Sequence, residues 1–414
     1  MDTITRRKFL VASGVVGAGA LAAGAAEISW RDVATAAKND PLPSDAQVLV
    51  LVTLCGGNDS LNTLIPYADP AYQKARPGLA YPADKVLRLD DQLGLNPAMK
   101  TMHALWSEHR LAVIRGVGYP RPDHSHFRSM DIWQTASPDR PVSTGWIGRW
   151  LDAVGSDPLK VVSIGATPQP LVVGAKAIGS SLPTNRFGVP KGAARTALKG
   201  LGRTDSADSA AEAAAAAGDA DFLTVARTFG PMVNADAPDP ADGSGQNQSQ
   251  GASGGGQSSL AAQLAVVGRC VKAGAPTRVY AVSLGGFDTH AEEAGTQERL
   301  LGEFDTAVGG FLDDMAKDTH GRKVVLAAYS EFGRRVAANA SDGTDHGTAG
   351  TVFIARSSVH GGFYGEQPSL TKLDDGDLIA STDFRAVYGT LLSRVLDTDP
   401  GKVLDSVKAP INFV

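Results

Sequence analysis

Gln47-Val48-Leu49-Val50-Leu51-Val52-Thr53-Leu54 runs directly into Cys55-Gly56-Gly57-Asn58-Asp59-Ser60. The first eight residues are almost all apolar, with no alternation of polar and apolar positions. That is the pattern of a strand covered on both faces, as in a parallel sheet between helices. The glycine pair stops the strand in a tight turn, so the polar residues after it lie at the strand's carboxyl end.

The same grammar recurs along the chain. Residues 111–117, 160–164, 170–173, 278–284, 323–329 and 351–355 read as further strands. Between them lie helical patterns. Asn96-Pro97 opens one, with Met99, Met102, Leu105 and Trp106 at helical spacing. Others follow Pro122 to Phe127 and cover 145–154, 260–272, 297–318 and 383–396. Strands alternating with helices define an α/β fold with a mainly parallel central sheet. No internal repeat is present.

Composition excludes several classes. The 414 residues are 43% hydrophobic and 20% charged, with 47 Gly and 23 Pro, enough for a large core and unlike a disordered or collagen-like chain. Beyond the N-terminal segment no uncharged apolar run reaches the ~20 residues of a membrane span, so no stable span is expected in the mature protein. Lys and Arg number 39 against 44 Asp and Glu, a net charge of -5, with no basic run beyond the first ten residues. Nucleic acid is therefore not an expected partner. Two cysteines, Cys55 and Cys270, allow at most one bridge.

Residues 1 to about 30 read as a targeting segment. Thr5-Arg6-Arg7-Lys8-Phe9-Leu10 resembles the twin-arginine export signal, and a Gly/Ala-rich apolar stretch with small residues near Ala22 to Ala26 follows. The expected partner in export is the twin-arginine translocase, and the expected location is periplasmic or extracellular. Such export carries folded proteins, often with a metal or cofactor already loaded. From about 202 to 260 the composition shifts to Ala-rich and then Gly/Ser/Gln-rich sequence, which reads as a flexible surface insertion. Within it, a helical patch at 222–229 has the apolar residues to pack on the body.

Ligands of open α/β sheets bind beyond the carboxyl ends of the strands. Three strands here end in polar, glycine-flanked clusters: Asn58-Asp59-Ser60, Asp288-Thr289-His290 and Ser330-Glu331. Loops near them carry His124-Ser125-His126 and Asp345-His346. Each fragment alone also has a structural reading. Asp59 would cap a helix, Glu331 would pair with Arg334 or Arg335, and His124 and His126 would cap the helix that follows. Asp288 with His290 would form a surface pair, and Asp345-His346 a polar turn. Together they place four of eight histidines and several carboxylates at one sheet edge, a set that suits a divalent ion such as Zn, Mn, Mg or Ca. A dinucleotide-dependent enzyme lacks the expected GxGxxG after the first strand.

The phrases GGNDSLNTLIPY (56–67), HSHFRSMDIWQT (124–135), GGFDTH (285–290), YSEFGRR (329–335), TDHGTAG (344–350) and TDFRAVYGTLL (382–392) occur in this order after the export signal. This set resembles a widespread bacterial family of secreted proteins, a domain of unknown function grouped with the alkaline phosphatase and sulfatase superfamily. The resemblance spans about residues 45–400 apart from the insertion. It implies a three-layer α/β/α, alkaline phosphatase-like domain over 45–414. It further implies one or two divalent metals and hydrolysis of phosphate or sulfate esters, on a small-molecule or a glycan or lipid substrate. Carried over by position, Asp59, His126, Asp288, His290, Glu331, Asp345 and His346 become candidate metal ligands. Ser330-Glu331 departs from the Asp-His that many superfamily members show there. Ser125 becomes the candidate nucleophile, with Ser129 and Ser60 as rivals. His124 becomes a proton carrier, and Arg128 (with Arg334 as second choice) the group that neutralises transition-state charge. Cys55 lacks the sulfatase context Cys-x-Pro-x-Arg. The alternative function is a non-catalytic envelope binding or scaffold protein that retains the fold.

Overall fold

The computed structural model describes residues 42–414 except 44, 166, 186–187, 189–191, 205–207, 235–257 and 356–358. The proposed targeting segment, and the Gly/Ser-rich part of the insertion as far as 257, lie outside the described residues.

The strands that frame the molecule are β1 (Val48–Leu54), β2 (Leu111–Gly118), β3 (Val161–Ile164), β4 (Ser180–Leu182), β5 (Val279–Leu284), β6 (Val324–Tyr329), β7 (Arg334–Ala338), β8 (Thr344–His346), β9 (Gly350–Ala355), β10 (Gly362–Tyr364) and β11 (Thr382–Asp383). Nine of them form one sheet in the order β10-β2-β9-β6-β1-β5-β3-β4, with β11 beside β2. All neighbours are parallel except β9, which runs against β6 and β2. β7 and β8 form a separate antiparallel hairpin.

The helices are α1 (Pro70–Ala75), α2 (Lys100–Ser107), α3 (His126–Thr135), α4 (Trp146–Ala153), α5 (Gly192–Leu201), α6 (Ala210–Asn234), α7 (Leu260–Lys272), α8 (Glu293–Ala316) and α9 (Phe384–Arg394). They cover both faces of the sheet. Along β1, Val48, Val50, Val52 and Leu54 enter a core shared with α2, α7 and α8, whereas Leu49 and Leu51 enter a core shared with α3, α4 and α9. Two buried faces explain why the run 48–54 has no polar alternation. The fold class is thus the α/β class, with the mainly parallel sheet expected.

Three sequence-based expectations change. Residues 170–173, expected as a strand, contain a 3-10 turn over Pro170–Val172. Pro170 cannot donate to a ladder, and Leu171 and Val172 instead bury beside α4. The Ala-rich stretch, expected within a flexible insertion, begins the 25-residue helix α6, as alanine's helix propensity favours. The C-terminal half of α6 joins the core through Val225, Phe229, Met232 and Val233. Finally, α8 starts at Glu293, a turn before the expected Gln297. Cys55 and Cys270 are buried free thiols rather than a bridge.

Candidate metal centre

β1, β5 and β6 lie side by side and parallel, so the turns after Leu54, Leu284 and Tyr329 meet at one edge. β2 points the same way, because β9 runs antiparallel to both β6 and β2. The loop after β2 therefore brings 119–126 to that edge. The reversed strand β9 begins there, which carries the preceding hairpin to it. The glycines of the first turn let these segments interlock. A Cβ on Gly56 would stand 2.5 Å from Asp288 N, and one on Gly57 would stand 2.2 Å from the Phe332 ring. Both have positive φ, +116° and +69°, which glycine adopts without strain.

Four nitrogens surround one oxygen at this edge. Asp288 Oδ1 lies 2.8 Å from Arg334 Nη2, 3.0 Å from His290 Nε2, 3.1 Å from His346 Nε2 and 3.2 Å from His126 Nε2. The hairpin contributes two of these groups by register, since Arg334 and His346 are cross-strand partners. Phe332 floors the cluster, with its ring centroid 4.8 Å from that of His126 and 5.0 Å from that of His346.

Each imidazole is held by its other nitrogen. His126 Nδ1 lies 2.9 Å from Glu331 Oε1, a fully buried carboxyl that also accepts from Gly56 N at 2.8 Å. His346 Nδ1 donates to the carbonyl of His124 at 2.7 Å. His290 Nδ1 lies 3.5 Å from Asp345 Oδ1, which Asn339 Nδ2 also contacts at 3.2 Å. A carbonyl only accepts, so the His346 proton is on Nδ1 and its Nε2 is a lone pair when the ring is neutral. His290 and His126 likewise turn Nε2 inward, where each can accept once it carries no proton. Yet His290 Nε2 and His346 Nε2 are 2.9 Å apart, and buried His126 Nε2 has no aligned hydrogen-bond partner.

Inward lone pairs around a carboxylate oxygen are the donor set of a cation site. His126, Asp288 and His346 each offer an atom within 4.8 Å of the others. Ligand atoms ~2.0–2.1 Å from a tetrahedral ion stand roughly 3.4 Å apart, close to the spacings seen here. Imidazole nitrogens fixed through Nδ1 to a carboxylate or carbonyl are also the usual outer arrangement of metal-binding histidines. The residues present therefore fit a divalent ion at His126, Asp288 and His346, with His290 Nε2 3.0 Å from Asp288 Oδ1 beside them. Without an ion the electrostatics take up the strain. Burial alone would lower the His126 pKa, but its contacts with Asp288 and Glu331 outweigh this and raise it to about 9. Burial of Asp288 is likewise outweighed by His126, His346 and Arg334, which hold it well below the usual carboxylate range.

The other expected site residues are distributed differently. Asp59 is fully buried and ion-paired to Arg76, with Oδ1 accepting from Leu61 N at 3.2 Å. It lies outside the cluster because Arg76, at the end of α1, engages its free oxygen. Arg76 is itself anchored on the carbonyls of Val336 and Arg335, at 2.9 and 2.7 Å. Buried Glu293 completes this second group. Burial and the Asp59 charge push the Glu293 pKa up to about 9, and its Oε2 accepts from Thr344 Oγ1 at 2.5 Å. Glu331 and Asp345, expected as ligands, stand one bond further out as partners of His126 and His290. Ser125 caps α3, its Oγ 3.5 Å from Arg128 N. His124 gives Nε2 to Asp377 Oδ2 at 2.7 Å. Arg128 pairs with Asp131 at 2.5 Å along the same helix, so its charge is already met.

Of the expectation's rivals, Ser129 Oγ is 2.6 Å from Asp123 O, and Ser60 is buried. Sequence reading did not single out the roles of Arg76, Glu293 or Asp377. Asp377, which follows the turn at Asp375-Gly376, carries no local signal of a histidine 253 residues away.

Solved structures of similar layer arrangement are distant. The lipoteichoic acid synthase LtaP from Listeria monocytogenes is 9% identical, with TM-score 0.42, covering 93% of this chain and 81% of that one. The C-terminal periplasmic domain of EcEptC from Escherichia coli is 12% identical, with TM-score 0.39 and 88% of each chain covered. A protein in the alkaline phosphatase superfamily from Vibrio parahaemolyticus is 10% identical, with TM-score 0.41, covering 93% and 78%. No curated protein matches the sequence. Residues 46–393, most of the chain, match the family described as "Protein of unknown function (DUF1501)", and the protein belongs to that family.

Proposed function

We propose that the protein is a divalent-metal-dependent hydrolase of phosphate or sulfate esters, acting outside the cytoplasm after twin-arginine export. The observation that carries this reading is the convergence of three Nε2 atoms on Asp288 Oδ1 at 3.0, 3.1 and 3.2 Å, each ring held from behind. His126, Asp288 and His346, with His290 beside them, would hold the ion. When bound, it supplies Lewis-acid polarisation of a phosphoryl or sulfuryl oxygen.

The chain's own residues do the rest. Glu331, Asp345 and the His124 carbonyl fix the three rings before any ligand arrives. Arg334 is fully buried and anchored on Gly56 O, Gly57 O and Thr344 O, at 2.6, 2.6 and 2.9 Å, so it presents a fixed positive charge beside Asp288. Fully buried, Arg334 does not touch the ester; it keeps Asp288 ionised and in place for the ion. His124, half exposed and oriented by Asp377, hands a proton to the leaving oxygen. We assign the attack to water rather than to Ser125. The Ser125 hydroxyl caps α3, facing Arg128 N at the start of its own helix. Among the described residues no helix is long and apolar enough to cross a membrane.

The test is a hydrolysis screen on an aryl phosphate, a diaryl phosphodiester and an aryl sulfate with Zn, Mn, Mg or Ca. Turnover removed by chelator and restored by one metal is expected. No turnover with any metal by folded, metal-loaded protein contradicts the reading and favours a binding protein.

A further inference from the structure

A cavity of about 420 Å³ opens beside the metal centre, between the segment 118–122 after β2 and the segment 377–383 ahead of α9. It shares two residues with the site's surroundings. Phe332, the floor of the histidine cluster, also lines the cavity. Asp377 lines it too, and grips His124, whose carbonyl holds His346. A group in the cavity is thus one layer of side chains from Asp288.

The cavity's walls define what it takes. Tyr119, Pro120, Pro122, Leu378, Ile379 and Ala380 give it broad apolar surfaces. Ile379 is 46% exposed, one of few large apolar side chains left open. Among the described residues, the cations around the cavity already face carboxylates. Arg121 pairs with Asp139 at 2.6 Å, and Arg335 lies 3.5 Å from Asp375 and 3.8 Å from Asp377. Arg385 and Lys408 lie 2.7 and 3.6 Å from Asp383. A second anionic group on a ligand would meet these carboxylates and no unpaired cation, an arrangement that selects by rejection. Asp377 is nearly fully buried, with Oδ2 on His124 and Oδ1 3.8 Å from Arg335 Nε, so its charge is turned away from the cavity.

We propose that this cavity binds the alcohol portion of the ester and is built for an uncharged, ring-bearing group, excluding polyanions such as nucleotides. The assignment rests on the ester-hydrolase reading. Its test does not need turnover. 4-Methylphenol, methyl β-glucoside and ATP are titrated calorimetrically into the full chain, wild type and Ala380→Trp. Ala380 is exposed at the cavity wall, so the indole fills the space without disturbing the core; Ile379→Ser is the second variant should the first lose its melting transition.

At least one ring compound is expected to bind wild type, to bind Ala380→Trp tenfold or more weakly, and not to be displaced by ATP. Binding of the phenol alone assigns an aryl group, and of the glucoside alone a sugar. The proposal is overturned if neither ring binds, if both variants bind as wild type does, or if ATP displaces the ring. Ester hydrolysis without ring binding removes the cavity assignment alone, whereas ring binding with no hydrolysis removes the hydrolase reading alone.

Discussion

Two groups of acidic residues share one end of the sheet and solve the problem of buried charge in opposite ways. In the first, Asp59 meets Arg76 with both side chains fully buried, and Glu293 beside them is held protonated. Positive and negative charge cancel within the protein, so the group is closed. In the second, Asp288 is about one-third exposed and faces three imidazoles whose Nδ1 atoms are occupied and whose Nε2 atoms point inward. Here Arg334 meets Asp288 from the buried side, while the three imidazoles leave the other side of the carboxylate open to a ligand. Each aspartate has a buried guanidinium, so the difference lies in what fills the remaining side: a protonated glutamic acid beside Asp59, and three imidazoles around a partly exposed Asp288.

Breaking the closed group should have the largest effect. Arg76→Met leaves Asp59 buried without its partner and is expected to cost about 3–5 kcal/mol, read as a lowered midpoint in denaturant titration. Metal content of the protein that remains folded should not change. A variant that lost its metal but kept its stability would reverse the roles assigned to the two groups.

The open group should respond in metal affinity instead. Glu331→Gln keeps the shape of the side chain but weakens its hold on His126. It is expected to reduce metal affinity about 10–100-fold, measured by competition with a chromogenic chelator. Unchanged affinity would make Glu331 a structural residue only.

The pH dependence sharpens the same contrast. In ion-free protein the folded His126 pKa of about 9 exceeds the ordinary value of about 6.5. Its contribution to stability is therefore complete below about pH 6.5 and lost as the pH rises through 9. An ion must displace that proton, so metal affinity should rise by up to about tenfold per pH unit until about pH 9 and then level off. The slope is read from calorimetric titrations across that range. A flat profile between pH 6.5 and 9 would contradict the raised pKa.

The smallest effect is expected at Glu293. Because the side chain is already neutral, Glu293→Gln should change stability by less than about 1 kcal/mol near pH 7, measured by thermal melting. A large loss would show that Glu293 is charged in the native protein.

The sheet was legible because its strands are buried on both faces, which leaves continuous apolar runs bounded by glycine. The convergence of His126, Asp288, His290 and His346 was legible for a related reason: parallel strands bring their ends together, so polar clusters at those ends become neighbours. What one sequence could not show is which acid faces which base. Asp59 and Asp288 both follow strands and glycine pairs, and only the fold reveals that Arg76 lies against the first and imidazoles against the second. Glu293 was missed for another reason, since acidic residues in a first helical turn are ordinarily solvated. Residues 170–173 misled because three apolar residues after a proline suit a strand and a buried turn equally. The division of Glu331 and Asp345 from the ligands themselves depends on which ring nitrogen points inward, and no spacing encodes that.

The account stands on a divalent ion at Asp288. Elemental analysis of protein purified from its native export route, beside the His290→Ala/His346→Ala variant, measures this directly. About one tightly held divalent ion per chain in the wild type, absent from a folded variant, is the expected result. Wild-type protein that is folded, free of metal and indifferent to added Zn, Mn, Mg or Ca would contradict it.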